Sequence, residues 1–208
     1  MSETTITSVC VFCGANPGKD IYVKASEELA NIFVQEAWTL IYGGGTVGLM
    51  GTLARSIVAK NGPEIGPKRV HGVIPSALIR WEQSGKKPDE SVYGLTTEVP
   101  NMHIRKETMA KASDAFIIMP GGYGSMDEFF EITTWNQLGI HPKPIVLVNI
   151  NGYYDGIIAW QKRAIEDGFV KANMQSIFVV VDSVEAIPQA IKDYKPATGR
   201  FNLDWNSE

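Results

Sequence analysis

The stretch Ala115-Phe116-Ile117-Ile118-Met119-Pro120-Gly121-Gly122-Tyr123-Gly124-Ser125-Met126-Asp127-Glu128 changes character at its centre. Its first five residues are continuously apolar, the pattern of a strand covered on both faces, as in a parallel sheet between layers of helix. Phe129 to Leu138 reads as a helix, so the glycines lie between the carboxyl end of a strand and the amino end of a helix. Open α/β sheets bind ligands at such junctions, where the helix offers unpaired backbone N–H groups and a partial positive charge. Gly121, Gly122 and Gly124 can take positive φ and, without a Cβ, let the backbone approach a ligand oxygen closely; Ser125 adds a hydroxyl. A second reading needs no ligand: Ser125 and Glu128 have the S-x-x-E spacing of a helix capping box, with Ser125 as the cap.

Outward from this stretch the same alternation recurs. Strands are expected at 6–13, 39–42, 69–74, 95–99, 115–119, 144–150 and 177–181, and helices at 20–37, 47–61, 101–112, 125–138, 154–167 and 183–193. Connections of this length between successive strands are helical crossovers, so the expected class is α/β with a doubly wound parallel sheet. A chain of 208 residues that is 44% hydrophobic suits one sizeable core, and residues 1–208 read as a single domain. Residues 81–94, polar and punctuated by Gly85 and Pro88, read as an exposed loop, and the tail after Tyr194 as loosely ordered.

The net charge of −4 argues against a nucleic-acid or anionic-membrane surface, which calls for a basic stripe. No apolar run approaches the roughly 18 residues of a membrane span, and Met1 to Thr5 lacks the basic and apolar regions of a signal peptide. A cytoplasmic protein is expected. Cys10 and Cys13 have C-x-x-C spacing, but they fall on a strand and point to opposite faces, and no second pair completes a zinc site. They read as buried, reduced thiols, with no metal.

A second glycine cluster, Gly43-Gly44-Gly45-Thr46-Val47-Gly48-Leu49-Met50-Gly51, follows the strand at 39–42 and contains G-x-G-x-x-G at Gly43, Gly45 and Gly48. The acid that would hold a ribose hydroxyl at the end of the next strand is missing, and so is the Gly-Lys-Ser/Thr ending of a P-loop. Two roles remain for Gly43, Gly44, Gly45 and Gly48: a second backbone cradle for an oxyanion, or close packing of helix on sheet. In Pro100-Asn101-Met102-His103-Ile104-Arg105-Lys106-Glu107 two adjacent cations open a helix, against its dipole. Arg105 and Lys106 are therefore either solvated charges or partners of a compensating anion; His103 reads as a surface or packing residue.

Pro120 to Glu128, Met102 with Arg105-Lys106, and Gly43 to Gly51 together resemble the LONELY GUY (LOG) family, the cytokinin riboside 5′-monophosphate phosphoribohydrolases. The likeness extends from Cys13-Gly14 through Thr134 to His141 and Asn151-Gly152-Tyr153-Tyr154 to Gly168-Phe169. It implies a Rossmann-like homodimer that cleaves the N-glycosidic bond of an N6-substituted AMP, AMP itself being a further candidate, to free base and ribose 5-phosphate. Arg105 and Glu128 fall on the family's catalytic pair. Glu128 would stabilise the charge that develops on the ribose and orient or deprotonate water, with Arg105 anchoring substrate and holding the carboxylate ionised. Substrate-binding positions fall on Glu82, Arg105, Lys106, Gly121, Gly122, Tyr123, Gly124, Ser125, Met126, Asp127 and Thr133. Ser125, Asp127 and Ala15-Asn16 depart from the plant pattern. No cofactor is implied: the family's older label is lysine decarboxylase, but no lysine here stands in the context of a Schiff base. A nucleotide-binding protein without turnover is the rival reading, and a nicotinamide oxidoreductase a weaker one.

Overall fold

The computed structural model describes residues 5–82, 85–201, 203 and 205. Seven strands, β1 (Ser8–Phe12), β2 (Thr39–Tyr42), β3 (Val70–Pro75), β4 (Leu95–Val99), β5 (Ala115–Ile118), β6 (Ile145–Val148) and β7 (Val179–Val181), form one sheet in the order β4-β3-β2-β1-β5-β6-β7. Every pairing is parallel. The helices are α1 (Asp20–Gln35), α2 (Gly48–Ile65), α3 (Ser76–Glu82), α4 (Glu90–Tyr93), α5 (Met102–Lys111), α6 (Tyr123–Gln137), α7 (Asp155–Glu166) and α8 (Ile187–Asp193).

Burial on both faces explains the apolar strands. In β1, Val9 and Val11 pack with Leu29, Phe33, Leu53, Ile57 and Ile187 of α1, α2 and α8. Cys10 and Phe12 turn to the other face, against Met109 of α5 and Phe129 and Ile132 of α6. Cys10 and Cys13 fall in these two separate cores and are free thiols. Burial pushes both well above the usual thiol range, so they stay protonated.

The topology places the site. The chain winds outward from β1 to β4, then returns to the other side of β1 as β5 and winds outward to β7. β1 and β5 are paired from Val9–Ala115 to Phe12–Ile118, and the connections leaving their carboxyl ends diverge. A crevice opens at this reversal, the usual ligand position in such sheets.

Three expectations are corrected. Within the segment read as a loop, residues 90–93 form a turn of helix, α4, because Asp89 Oδ1 accepts from the Ser91 N–H at 2.9 Å and caps it, while Tyr42 donates its hydroxyl to the Tyr93 carbonyl. The tail after Tyr194 is tied down where it is described. Arg200 donates to the carbonyls of Asn136 and His141, the Phe201 N–H to Gln137, and Trp205 Nε1 to Leu138, so the tail satisfies the orphan carbonyls at the end of α6. Finally, α6 begins at Tyr123 with Gly122 as its cap, which makes Ser125 a residue of the first turn and leaves no capping box with Glu128.

Phe116 is fully buried at the centre of β5 and stacks on Phe12 at 6.1 Å between ring centroids. Phe116→Ala should lower the unfolding free energy by about 3–5 kcal/mol in urea denaturation; a loss below about 1 kcal/mol would contradict this packing.

Candidate active site

α5 starts at Asn101, whose Oδ1 accepts from the Ile104 N–H at 2.9 Å. This cap fixes the helix so that Arg105 and Lys106 enter the protein; each is less than a tenth exposed, and neither is a solvated charge. Their compensating anions are carboxylates of α6. Arg105 Nη1 donates to Glu128 Oε1 at 3.1 Å, and Lys106 Nζ lies 3.0 Å from both Asp127 and Glu131.

Arg105 is fixed by more than its ion pair. Its Nε donates to the Val73 carbonyl at 3.1 Å and its Nη2 to the Gly43 carbonyl at 3.1 Å, so one side chain joins α5, β3, the end of β2 and α6. The second glycine cluster serves this contact. A Cβ built on Gly43 would stand 1.8 Å from Arg105 Nη2. Gly44 and Gly48 adopt positive φ, +75° and +59°, and a Cβ on Gly48 would overlap the Ala15 carbonyl at 2.3 Å. At the start of α2 the Leu49 N–H already donates to the Gly14 carbonyl at 3.0 Å. Gly43, Gly44, Gly45 and Gly48 therefore provide close packing, with Leu49 and Met50 beyond them reaching the cleft.

The crevice between β1 and β5 is a cleft of about 620 Å³, the size range of a nucleotide site. Gly121, Gly122, Tyr123, Gly124, Ser125, Arg105 and Glu128 line it, facing the loop Gly14 to Gly18. Gly121, Gly122 and Gly124 have ordinary φ and do not use the positive values open to them. What matters at Gly121 is space: a Cβ there would meet Ser125 Oγ at 2.1 Å. Gly122 and Gly124 have nothing within 4 Å of such a Cβ, which leaves the first turn of α6 open to the cleft. No side chain caps that turn, so its N–H groups are available to an anion.

Lys106, Met126, Asp127 and Thr133 do not line the cleft. Lys106 is occupied by Asp127 and Glu131, Met126 packs into the core beneath β5, and the Thr133 Oγ1 is buried without a hydrogen-bond partner. The side chain of Glu82 lies outside the described residues. Cleft residues that the sequence did not single out are Leu78, Met50, Tyr22 and Tyr153; only Asn151-Gly152, a turn dipeptide beside two tyrosines, hinted at one of them.

Glu128 is 7% exposed, and its carboxyl pKa is raised to about 7. Burial is the main cause; Arg105 opposes it, and Asp127 and Glu131 reinforce it against Lys106. Arg105 thus pulls the carboxyl toward its ionised form, as expected, while burial acts against it and brings the value to about 7. A carboxyl poised there, in a cleft with an open helix end, can both accept a proton and stabilise positive charge.

The family described as "Possible lysine decarboxylase" matches residues 50–191. The chain is 40% identical, over 90% of its length and 78% of the relative's, to the Arabidopsis thaliana protein named cytokinin riboside 5′-monophosphate phosphoribohydrolase LOG5. It is 36% identical over 100% of its length, and 93% of the relative's, to the LOG3 protein of the same name and plant. Among solved structures, the molybdenum cofactor binding protein of Rippkaea orientalis superposes with a TM-score of 0.65 at 18% identity, covering 91% of this chain and 98% of that one. The molybdenum cofactor carrier protein of Chlamydomonas reinhardtii gives 0.61 at 15%, covering 89% and 98%. Both likenesses concern the fold alone.

Gly43→Ala should displace the Arg105 guanidinium while leaving a foldable backbone, since Gly43 does not need positive φ. Misplacement of a catalytic group by about 1 Å can cost on the order of 100-fold, so steady-state turnover should fall by at least tenfold, roughly, with the circular dichroism spectrum unchanged; wild-type turnover would contradict the seat assigned to Arg105.

Proposed function

We propose, on the premise that this chain belongs to the LOG family of cytokinin riboside 5′-monophosphate phosphoribohydrolases, that it hydrolyses the N-glycosidic bond of a nucleoside 5′-monophosphate. The substrate class is N6-substituted AMP, with AMP as a further candidate, and the products are free base and ribose 5-phosphate. The observation that carries the reading is the buried Arg105–Glu128 pair set beside the uncapped first turn of α6 in one cleft.

The 5′-phosphate takes the N–H groups of Gly122, Tyr123, Gly124 and Ser125, where the helix dipole favours an anion. The ribose then faces Glu128. As C1′–N9 breaks, its electron pair leaves with the base and positive charge grows on the sugar, which the ionised Glu128 stabilises. Water adds to C1′ and gives its proton to Glu128 or, through it, to solvent; the departing base takes up a proton. Arg105 holds the carboxylate in place and contributes an N–H face to the cleft. Leu78 and Met50 offer apolar contact for the base.

Decarboxylation of lysine fits these residues poorly, because among the described residues no lysine lines the cleft and Lys106 is bound by two carboxylates. The missing ribose acid after β3 weighs against a nicotinamide oxidoreductase. The homodimer implied by the family resemblance belongs to the same reading. Support comes from a groove between α5 and α6 lined by Trp135 and the exposed Ile140. Light scattering that gives a monomer at micromolar concentration would contradict it.

Purified protein incubated with AMP or isopentenyladenosine monophosphate should release free base and ribose 5-phosphate, resolved by chromatography. Binding of both without product would favour a nucleotide-binding protein without turnover. Glu128→Gln keeps an acceptor for Arg105 and should reduce kcat by roughly 100- to 10,000-fold, with little effect on KM. Because the active form is the ionised carboxylate, wild-type kcat/KM should fall as pH drops through about 7. A flat profile between pH 5 and pH 8, both roughly chosen to bracket the usual and raised carboxyl values, would rule out Glu128 as the ionising group.

A further inference from the structure

The adjacent tyrosines Tyr153 and Tyr154 are unaccounted for by the chemistry above, yet both reach the glycine loop. Tyr154, 2% exposed, donates its hydroxyl to the Met119 carbonyl at 2.7 Å. Tyr153 donates to the Gly121 carbonyl at 2.5 Å, and the Pro120 carbonyl between them accepts from the Gly14 N–H at 3.1 Å. Three successive carbonyls, of Met119, Pro120 and Gly121, are therefore each held by a donor.

A trans peptide sets its C=O and the next N–H antiparallel. Holding the Gly121 carbonyl on Tyr153 turns the Gly122 N–H the opposite way, in line with the open first turn of α6. Freed carbonyls could rotate toward the cleft and repel an anion; bound ones cannot. The turn that presents the two tyrosines is itself specialised. Asn151 has φ +53°, a left-handed conformation uncommon for a residue other than glycine, and Gly152 has φ +69°. Asn149 Oδ1 accepts from the Tyr154 N–H at 2.7 Å while its Nδ2 donates to Asp155, which locks the turn. Tyr153 is further braced edge-on against Tyr22, with ring centroids 5.5 Å apart.

We infer that Tyr153 and Tyr154 are positioning residues of the phosphate site: by holding the carbonyls of Gly121 and Met119 they fix the loop in the conformation that presents the Gly122 N–H, and the first turn of α6 after it, to the 5′-phosphate. The inference rests on the placement of the phosphate at α6 given under the proposed function. Tyr154 is the cleaner witness, since it is buried and outside the cleft lining, whereas Tyr153 lines the cleft.

Calorimetric titration of wild type, Tyr153→Phe and Tyr154→Phe with ribose 5-phosphate, and separately with adenine, tests it. Each variant should bind ribose 5-phosphate on the order of tenfold more weakly, as expected for about one lost hydrogen bond, with adenine affinity within about twofold of wild type. In turnover the loss should appear in KM, with kcat within about threefold. Unchanged ribose 5-phosphate affinity in both variants, or equal weakening of both ligands, overturns the inference while leaving the phosphate site in place. Tyr153→Phe, at a half-exposed position, supplies the result if Tyr154→Phe does not fold. Failure of wild type itself to bind ribose 5-phosphate overturns the phosphate placement and this inference together.

Discussion

Arg105 is bound at once by the carbonyls of Gly43 and Val73 and by the carboxylate of Glu128, and the arrangement of the site follows from that. A guanidinium is never deprotonated in a protein, so its burial forces polar partners to converge on it. Gly43 must lack a side chain, the carboxyl end of β3 must stand beside β2, and α6 must present a carboxylate at its second turn. Removing one partner would leave a buried charge without compensation, which is far more costly than the pair itself is stabilising. Burial at the same place raises the Glu128 pKa to about 7 against the pull of Arg105, which leaves an ionisable group suited to neutral pH.

Much of this was legible in the sequence because it depends on pattern. Continuous apolar runs separated by helical lengths specify a parallel sheet, and the Gly121–Ser125 junction marked where its ligand site would open. The reversal between β1 and β5 then set that junction against the loop after β1. Side-chain direction was less legible. Neighbouring residues on a helix point roughly 100° apart, so Arg105 enters the cleft while Lys106 leaves it, and Glu128 faces inward while Asp127 does not. A motif read as a continuous string treats such neighbours alike.

The glycines show the same limit. Sequence offers positive φ and close approach as equal reasons for a glycine, and the two were distributed otherwise than expected. Positive φ belongs to Gly44 and Gly48 in the second cluster, where close approach adds to it, and close approach alone to Gly43 and Gly121. The tail after Tyr194 looked loose because its polar, proline-bearing composition has no periodicity. Its order comes from a need located elsewhere, the open carbonyls at the end of α6, which Arg200 and Phe201 meet.

The fold by itself does not select a chemistry, as the molybdenum cofactor binding and carrier proteins of similar architecture illustrate. The chemistry of the present site rests on a carboxyl of raised pKa placed one helical turn beyond an uncapped helix end. A crystal structure of the protein with ribose 5-phosphate tests this most directly. The phosphate should sit within hydrogen-bonding distance of the N–H groups of Gly122 to Ser125, with the anomeric carbon turned toward Glu128. Ribose 5-phosphate bound elsewhere, or with its anomeric carbon directed away from Glu128, would contradict the account.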